Sequence, residues 1–281
     1  MAMVAWIGCE SPHASDVKAS PNGLEILSQG IEPRRVLAYS FHNDQKSILE
    51  LALDMTLTAG AMGGAVPTIV SAIEIAVEGV LPTGHANVRM TVLDASARDR
   101  PDAPSPAASL AAQLAAIKGV TIHATIGPDG KLSNTTLEGD QKRPEAQQQQ
   151  INSLVASFQQ LTMPIPNVPL GAGAMWKSTR PIDQGGLKMS AVNTVALTNI
   201  EGTRLTFAVK SELHGADQTV TISGVAIHVE HISGTGEGHL TLELDKLTMT
   251  GEIDATFKAE MSAENEKTPM QITTKLVVTP R

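Results

Sequence analysis

The sequence predicts a mainly β protein of the α+β class: a curved antiparallel sheet or half-barrel with two helices packed on its concave face. Three observations predict it. Apolar and polar residues alternate with a period of two in both the first and the last third of the chain. The predicted strands reach about ten residues against a usual five or six, and strands of that length twist and coil. Two segments with helical spacing lie between these β-rich regions.

The first β-rich region contains a run in which Leu49, Leu51, Leu53, Met55 and Leu57 alternate with polar residues. Glycines at 60–64 predict a turn, and the next run places Ile73, Ile75 and Val77 on one face. A Pro-Thr-Gly turn at 82–84 precedes a third strand, and Gly-Pro-Asp-Gly at 127–130 marks a hairpin. The strands predicted here cover residues 49–57, 69–77, 86–92, 120–126 and 131–137.

Two helices are predicted between the β-rich regions. Ser105 is a suitable N-cap for the first, with Pro106 at its first position and Gly119 at its end. Its narrow apolar stripe consists of Leu110, Leu114 and Ile117. The second helix covers residues 144–161 and ends before a proline-rich linker. Its apolar face consists of Ile151, Leu154, Val155, Phe158 and Leu161.

After the linker the chain is again predicted to be almost entirely strand. The predicted strands are 187–198, 203–213, 220–232, 239–248, 252–261 and 270–279. We therefore expect an N-terminal signal remnant and tether over residues 1–30 and one β-rich domain over residues 31–281. Glycine pairs at 63–64 and 185–186 each precede a long strand pair, which leaves open a duplication of two halves, 31–163 and 170–281.

Composition excludes one class of partner. Aromatic residues make up 2% of the 281 residues, too few for a platform that stacks single-stranded nucleic acid. The formal net charge is −8, so the positive surface that phosphate backbones require is missing too. We expect no nucleic-acid partner. The interior is instead aliphatic, with 11 methionines, a residue type that adapts to varied apolar ligands.

The N-terminal segment carries the single cysteine, Cys9, between an apolar stretch and a polar run. It resembles the end of a bacterial lipoprotein signal, in which the cysteine is acylated, although Ile7 stands where that pattern has a small residue. The resemblance implies lipidation at Cys9 and a periplasmic or outer-membrane-anchored lipoprotein that contacts the membrane only through its acylated N-terminus. The alternative is an incidental thiol on a protein without an anchor.

The densest polar cluster runs from His228 to His239 and includes Glu230 and His231. Two imidazoles and a carboxylate suit a divalent ion. The spacing matches no helix-borne metal motif, and we interpret the segment as a solvated hairpin in which His231 points away. No nucleophile elbow or placed catalytic pair occurs. We therefore predict no catalytic residues, no metal, no cofactor and no enzymatic activity.

The run from Pro166 to Trp176 has the pattern P-x-x-P-L-G-x-G-A-x-W. It resembles an uncharacterised group of bacterial cell-envelope proteins, and residues 32–39 are similar to the same group. Gly171 and Gly173 permit positive φ or close backbone approach, and Trp176 is expected to plug the sheet. The wider order of elements resembles the half-barrel lipoprotein carriers of the periplasm, which implies an acyl chain held between a concave sheet and a helical lid.

The predicted function is non-enzymatic binding or carriage of an apolar ligand, a lipid or acyl chain, in the bacterial cell envelope. The alternative is a structural or interaction protein of the envelope that contacts partners through its sheet edges. The candidate ligand-binding residues share aliphatic or aromatic side chains on the predicted inner surfaces. They are Leu51, Leu53, Met55, Ile73, Ile75, Val77, Leu110, Leu114 and Trp176.

Overall fold

The computed structural model describes residues 18–19, 24–139, 162–184, 186–222, 225–263 and 266–281. Strands account for most of these residues. The strands are β1 (Lys18–Ala19), β2 (Glu25–Gln29), β3 (Arg35–Val36), β4 (Lys46–Ala59), β5 (Met62–Val80), β6 (Ala86–Arg98), β7 (Thr121–Ile126), β8 (Leu132–Leu137), β9 (Pro169–Leu170), β10 (Ala174–Gln184), β11 (Leu187–Glu201), β12 (Arg204–His214), β13 (Gln218–Ile222), β14 (Val225–Glu243), β15 (Thr248–Ala263) and β16 (Glu266–Pro280). A 3₁₀ turn (Ala107–Leu110) leads into a short helix, α1 (Ala111–Ala115).

Fourteen of the strands form one antiparallel sheet in the order β1-β2-β10-β11-β12-β14-β15-β16-β4-β5-β6-β7-β8, with β13 paired to β14. The sheet is open, and β3 and β9 form a separate two-stranded ribbon. Two antiparallel meanders, β4–β8 and β10–β16, join where the last strand pairs with β4 from Met270↔Ala59 to Pro280↔Leu49. The mainly β, antiparallel prediction is confirmed.

One face of this sheet, called the inner face below, carries the main core. Met90 on β6 and Phe207 on β12 belong to the same buried cluster, although five strands separate β6 from β12 in the sheet order. Buried residues from strands so far apart meet only if the sheet curls around that face. We call this cluster the near core. A smaller far core, built around Met189, Val229 and Ile232, lies toward the other ends of the strands.

The helices differ from the prediction. The first helix is reduced to the 3₁₀ turn and α1, which packs against β6 and buries Leu114. Pro106 rather than Ser105 occupies the N-cap position, and Asp99 Oδ1 accepts a hydrogen bond from the Ala107 N–H at 2.6 Å. The segment is rich in alanine and has one narrow apolar stripe. Burial of so little apolar surface does not stabilise a longer helix. The prediction of two helices on the concave face is therefore wrong for the described residues, and the second predicted helix, 144–161, lies outside them.

The solvated hairpin predicted within residues 228–239 is also wrong. β14 runs without a break through that segment, and the next turn falls at 244–247. Gly234, Gly236 and Gly238 alternate along the strand, so all three lie on the inner face. A Cβ at Gly238 would lie 2.3 Å from the Glu252 carbonyl oxygen on β15. These glycines therefore allow two strands to approach closely and do not form a turn.

The proline-rich linker pairs with an earlier segment of the chain, where its strand β9 lies beside β3. Its Ile165 and Leu170 are fully buried. Gly171 lies against the backbone of residue 31, Gly173 has φ +78°, and Trp176 enters the near core on β10 with 1% exposure. The expected close approach, positive φ and plugging tryptophan are confirmed.

Candidate ligand-binding face

Directly paired residues form rows across the inner face. One row starts on β10 with Trp176, continues through Val195 and Val209, and reaches Ile253, Leu276, Leu53 and Ile69 on β15, β16, β4 and β5. Its first three members are buried, and the last four are half-buried. The near core therefore seals one half of this row and leaves the other half partly open to solvent.

The same pattern continues in the next two rows toward the far core. Met55 and Val66 pair on the inner face of β4 and β5, and Phe257 pairs with Ile272 on β15 and β16. All four side chains are half-buried. We call the resulting patch the aliphatic surface. It consists of Leu53, Met55, Val66, Ile69, Ile253, Phe257, Ile272 and Leu276. Thr274, which pairs with Met55 on this face, interrupts the patch on β16. Exposed apolar patches mark sites of interaction.

The sequence-predicted ligand residues divide into three groups. Leu53 and Met55 belong to the aliphatic surface, and Leu51 is half-buried next to it on the same face of β4. The structure places four others inside the near core, each at most 5% exposed: Ile73, Ile75, Val77 and Trp176. Leu110 and Leu114 lie apart from both, at the 3₁₀ turn and α1.

Sequence reasoning did not assign Ile253, Ile272 and Leu276 to the site. Their alternation within the last two strands was a visible signal that they share a face. The pairing of β16 with β4, which places them beside Leu53, joins residues more than two hundred positions apart and leaves no local signature.

Polar side chains interrupt the inner face between the two cores. Ser178 on β10, Asn193 on β11 and Ser211 on β12 pair directly, and the Ser211 hydroxyl donates to Asn193 Oδ1 at 2.7 Å. Arg180 lies on the next row of β10, directly opposite the buried Ala191. Loss of hydration lowers the pKa of the Arg180 guanidinium, and its buried Nε has no hydrogen-bond acceptor in the part of the chain that the structure describes.

A second polar cluster lies on the outer face, at a β-bulge in β14. Glu230 stands directly opposite Glu260 on β15, a like-charged pair that is destabilising alone. Lys267 Nζ lies 2.6 Å from Glu230 and 2.7 Å from Glu260, and so supplies the charge between them. The Lys267 hydrogen bond is the main cause that holds the pKa of Glu230 below its usual range.

The histidines of this cluster differ from the prediction. His231, expected to point away, has φ +54° at the bulge, and a ring nitrogen comes within 4.8 Å of a carboxylate oxygen of both Glu230 and Glu260. His228 Nε2 lies 3.2 Å from Glu230 Oε1. His239 lies eleven residues along the same strand from His228, about 35 Å at the rise of an extended strand. The two ends of the predicted cluster are therefore separate.

Replacing Lys267 with methionine should raise the pKa of the Glu230 carboxyl, because the variant removes its main stabilising hydrogen bond and leaves Glu260 opposite. A carbon-detected NMR titration of the glutamate carboxyls measures this change. Lys275→Met is the matched control, since Lys275 pairs with Glu252 elsewhere on β15 and β16. An unchanged Glu230 titration in the Lys267 variant would contradict the assignment.

Two clefts lie away from the aliphatic surface. One, of about 350 Å³, is lined in part by Leu37, His85 and Asp129, and another, of about 300 Å³, in part by Lys46, Asp245 and Arg281. Both are bordered by loops and strand ends and contain charged side chains. Among the described helical residues, none forms a helix of the length and apolarity needed to cross a membrane.

A family model matches part of the chain. No curated protein is significantly similar to the chain. Residues 142–248, less than half of the chain, are similar to DUF6263, a family of unknown function.

Proposed function

We propose that the protein binds or carries an apolar ligand, a lipid or acyl chain, in the bacterial cell envelope, without catalysing a reaction on it. The observation that supports the proposal is the aliphatic surface. Eight apolar side chains from β4, β5, β15 and β16 lie half-buried on the face that elsewhere forms the near core. A partly exposed apolar surface on the concave side of a curled sheet suits a flexible hydrocarbon chain as its ligand.

The energetics favour an extended hydrocarbon. Burying apolar area contributes about 25 cal/mol per Å² and has no directional requirement. The patch contains leucine, isoleucine, valine and methionine with a single ring, Phe257. Such a lining offers no stacked aromatic pair for a planar cofactor, and methionine adapts to ligands of varied shape.

A hexadecanol titration monitored by native mass spectrometry tests the proposal with an uncharged ligand. The delipidated protein should bind it, and Leu53→Gln combined with Met55→Gln should weaken binding by about tenfold or more, because each glutamine must be desolvated against the chain. The control combines Thr56→Gln and Thr58→Gln, on the opposite face of β4. Absence of hexadecanol binding in the parent protein, or equal binding by both double variants, would overturn the proposal.

The envelope location rests on Cys9, which lies outside the described residues. We propose that its thiol is acylated and that residues 10–17 tether the domain, because β1 and β2, which lie within the predicted tether of residues 1–30, belong to the main sheet. Metabolic labelling with a palmitate analogue should mark the full chain and not Cys9→Ser. An unlabelled parent chain produced with its own leader in a bacterial host would exclude the anchor.

The alternative is a structural or interaction role at a sheet edge. It is favoured by the open end of the sheet at β8, whose outer side has no partner strand among the described residues. An exposed edge accepts a further strand by backbone hydrogen bonding. A parent protein that binds no lipid yet recruits a strand-forming envelope partner at β8 would support this role.

A further inference from the structure

We propose that Arg180 pairs with the anionic headgroup of the ligand, so that the ligand class is an acyl chain ending in a carboxylate or phosphate. This inference deepens the proposed function and rests on it. It names one end of the bound molecule, whereas the aliphatic surface accounts for the chain.

The position of Arg180 supports the pairing. On β10 it lies four residues from Trp176 of the near core in one direction, beyond Ser178, and two residues from Ile182 beside the far core in the other. Alternation along the strand places Arg180 on the same face as both neighbours. Its cross-strand partner is Ala191, which is 5% exposed, so the guanidinium side chain extends over the inner face.

The row that begins at Arg180 leads directly to the aliphatic surface. Through Ala191, Leu213 and Gly234 it reaches Phe257 and Ile272 by consecutive cross-strand pairs. Four strand spacings, about 19 Å, separate Arg180 from Phe257 along the sheet. That span matches an extended long acyl chain. Between the two ends the row consists of Ala191, Leu213 and Gly234, of which Leu213 alone has a large side chain.

The chemistry of Arg180 calls for an anion. Among the residues whose side chains the structure describes, no acceptor reaches its buried Nε and no carboxylate forms an ion pair with it. Arg180 is half-buried, and a buried N–H group without an acceptor costs free energy that a bound anion would offset. The guanidinium presents parallel N–H donors whose geometry matches both oxygens of a carboxylate or phosphate.

The test compares three ligands by native mass spectrometry: hexadecanol, palmitate and hexadecyl phosphate. One or both anions should bind the parent protein at least about tenfold more tightly than the alcohol, the range of a charge-assisted hydrogen bond. Arg180→Met should reduce that ratio to near one while leaving hexadecanol affinity unchanged. Arg180→Lys should retain part of the preference. The relative affinity of palmitate and hexadecyl phosphate distinguishes a carboxylate headgroup from a phosphate one.

Lys177→Met is the matched control, since Lys177 is a cation on the opposite face of β10. It should leave the ratio of anion to alcohol affinity unchanged. Urea unfolding should show Arg180→Met at least as stable as the parent, because removing an unpaired buried charge leaves nothing unsatisfied. Equal affinity for alcohol and both anions in the parent, or an unchanged ratio in Arg180→Met, would overturn this inference alone. Failure of all three ligands to bind would remove the proposed function with it.

Discussion

Replacing Trp176 with alanine should lower the free energy of unfolding by about 3–5 kcal/mol, the cost of emptying a large aromatic site in a packed core. The side chain is 1% exposed and meets Phe207 edge-on, with ring centroids 5.9 Å apart. Both rings belong to the near core, which draws on strands from both meanders. The loss should therefore affect the cooperative unfolding of the whole sheet, measured by urea denaturation and fitted to two states.

Met175→Ala is the matched control for this variant. Met175 precedes the tryptophan on the same strand, faces the opposite side of the sheet and is 36% exposed. Its replacement should change the free energy of unfolding by no more than about 0.5 kcal/mol. Equal losses in the two variants would mean that β10 itself, and not the packing of Trp176, determines stability. A small loss at Trp176 would contradict its place in the core.

Most strands were predictable because their signal is local. Alternation over residues 49–57 requires one buried face whatever the partner strand is, and β4 buries Leu49 on that face. The same reasoning placed Ile73, Ile75 and Val77 on one surface. It did not distinguish a sealed core from a partly open surface. That difference depends on which strands lie beside β5, a matter of long-range pairing.

Glycine produced the clearest error. Three glycines within five residues are typical of a turn, and they agree with the solvated hairpin predicted within residues 228–239. Their spacing of two also fits a strand face on which side chains have no room. The evidence for a strand is the backbone of β15, whose Glu252 carbonyl oxygen lies 2.3 Å from the position of a Cβ at Gly238. The sequence does not show this distance.

The bulge at His231 escaped prediction for a related reason. A strand without irregularity points His228 and Glu230 to one side and His231 to the other. The extra residue in β14 breaks that alternation and returns His231 to the side of Glu260. A bulge is specified by the register of two strands, so the sequence of one strand does not reveal it.

The linker motif requires glycine at residues 171 and 173 for two different physical reasons. A Cβ at Gly171 would lie 1.8 Å from the Ile31 carbonyl oxygen, whereas a Cβ at Gly173 would meet nothing within 4 Å. Gly173 has φ +78°, and Gly171 has no positive φ. The first glycine provides space between two crossing segments, and the second provides a left-handed backbone.

Gly171→Ala should therefore lower the free energy of unfolding by about 3 kcal/mol, the upper end of the usual cost of overpacking. The crossing has no freedom to widen, because Gly171 N–H donates to the Gln29 carbonyl and Ile31 N–H to the Ala172 carbonyl, each at 2.9 Å. Gly173→Ala should cost only about 1 kcal/mol, the strain of a left-handed residue with a side chain. Urea denaturation of both variants measures the difference. Equal costs would show that backbone conformation alone accounts for the motif, whereas the predicted gap separates the close crossing from the turn that follows it.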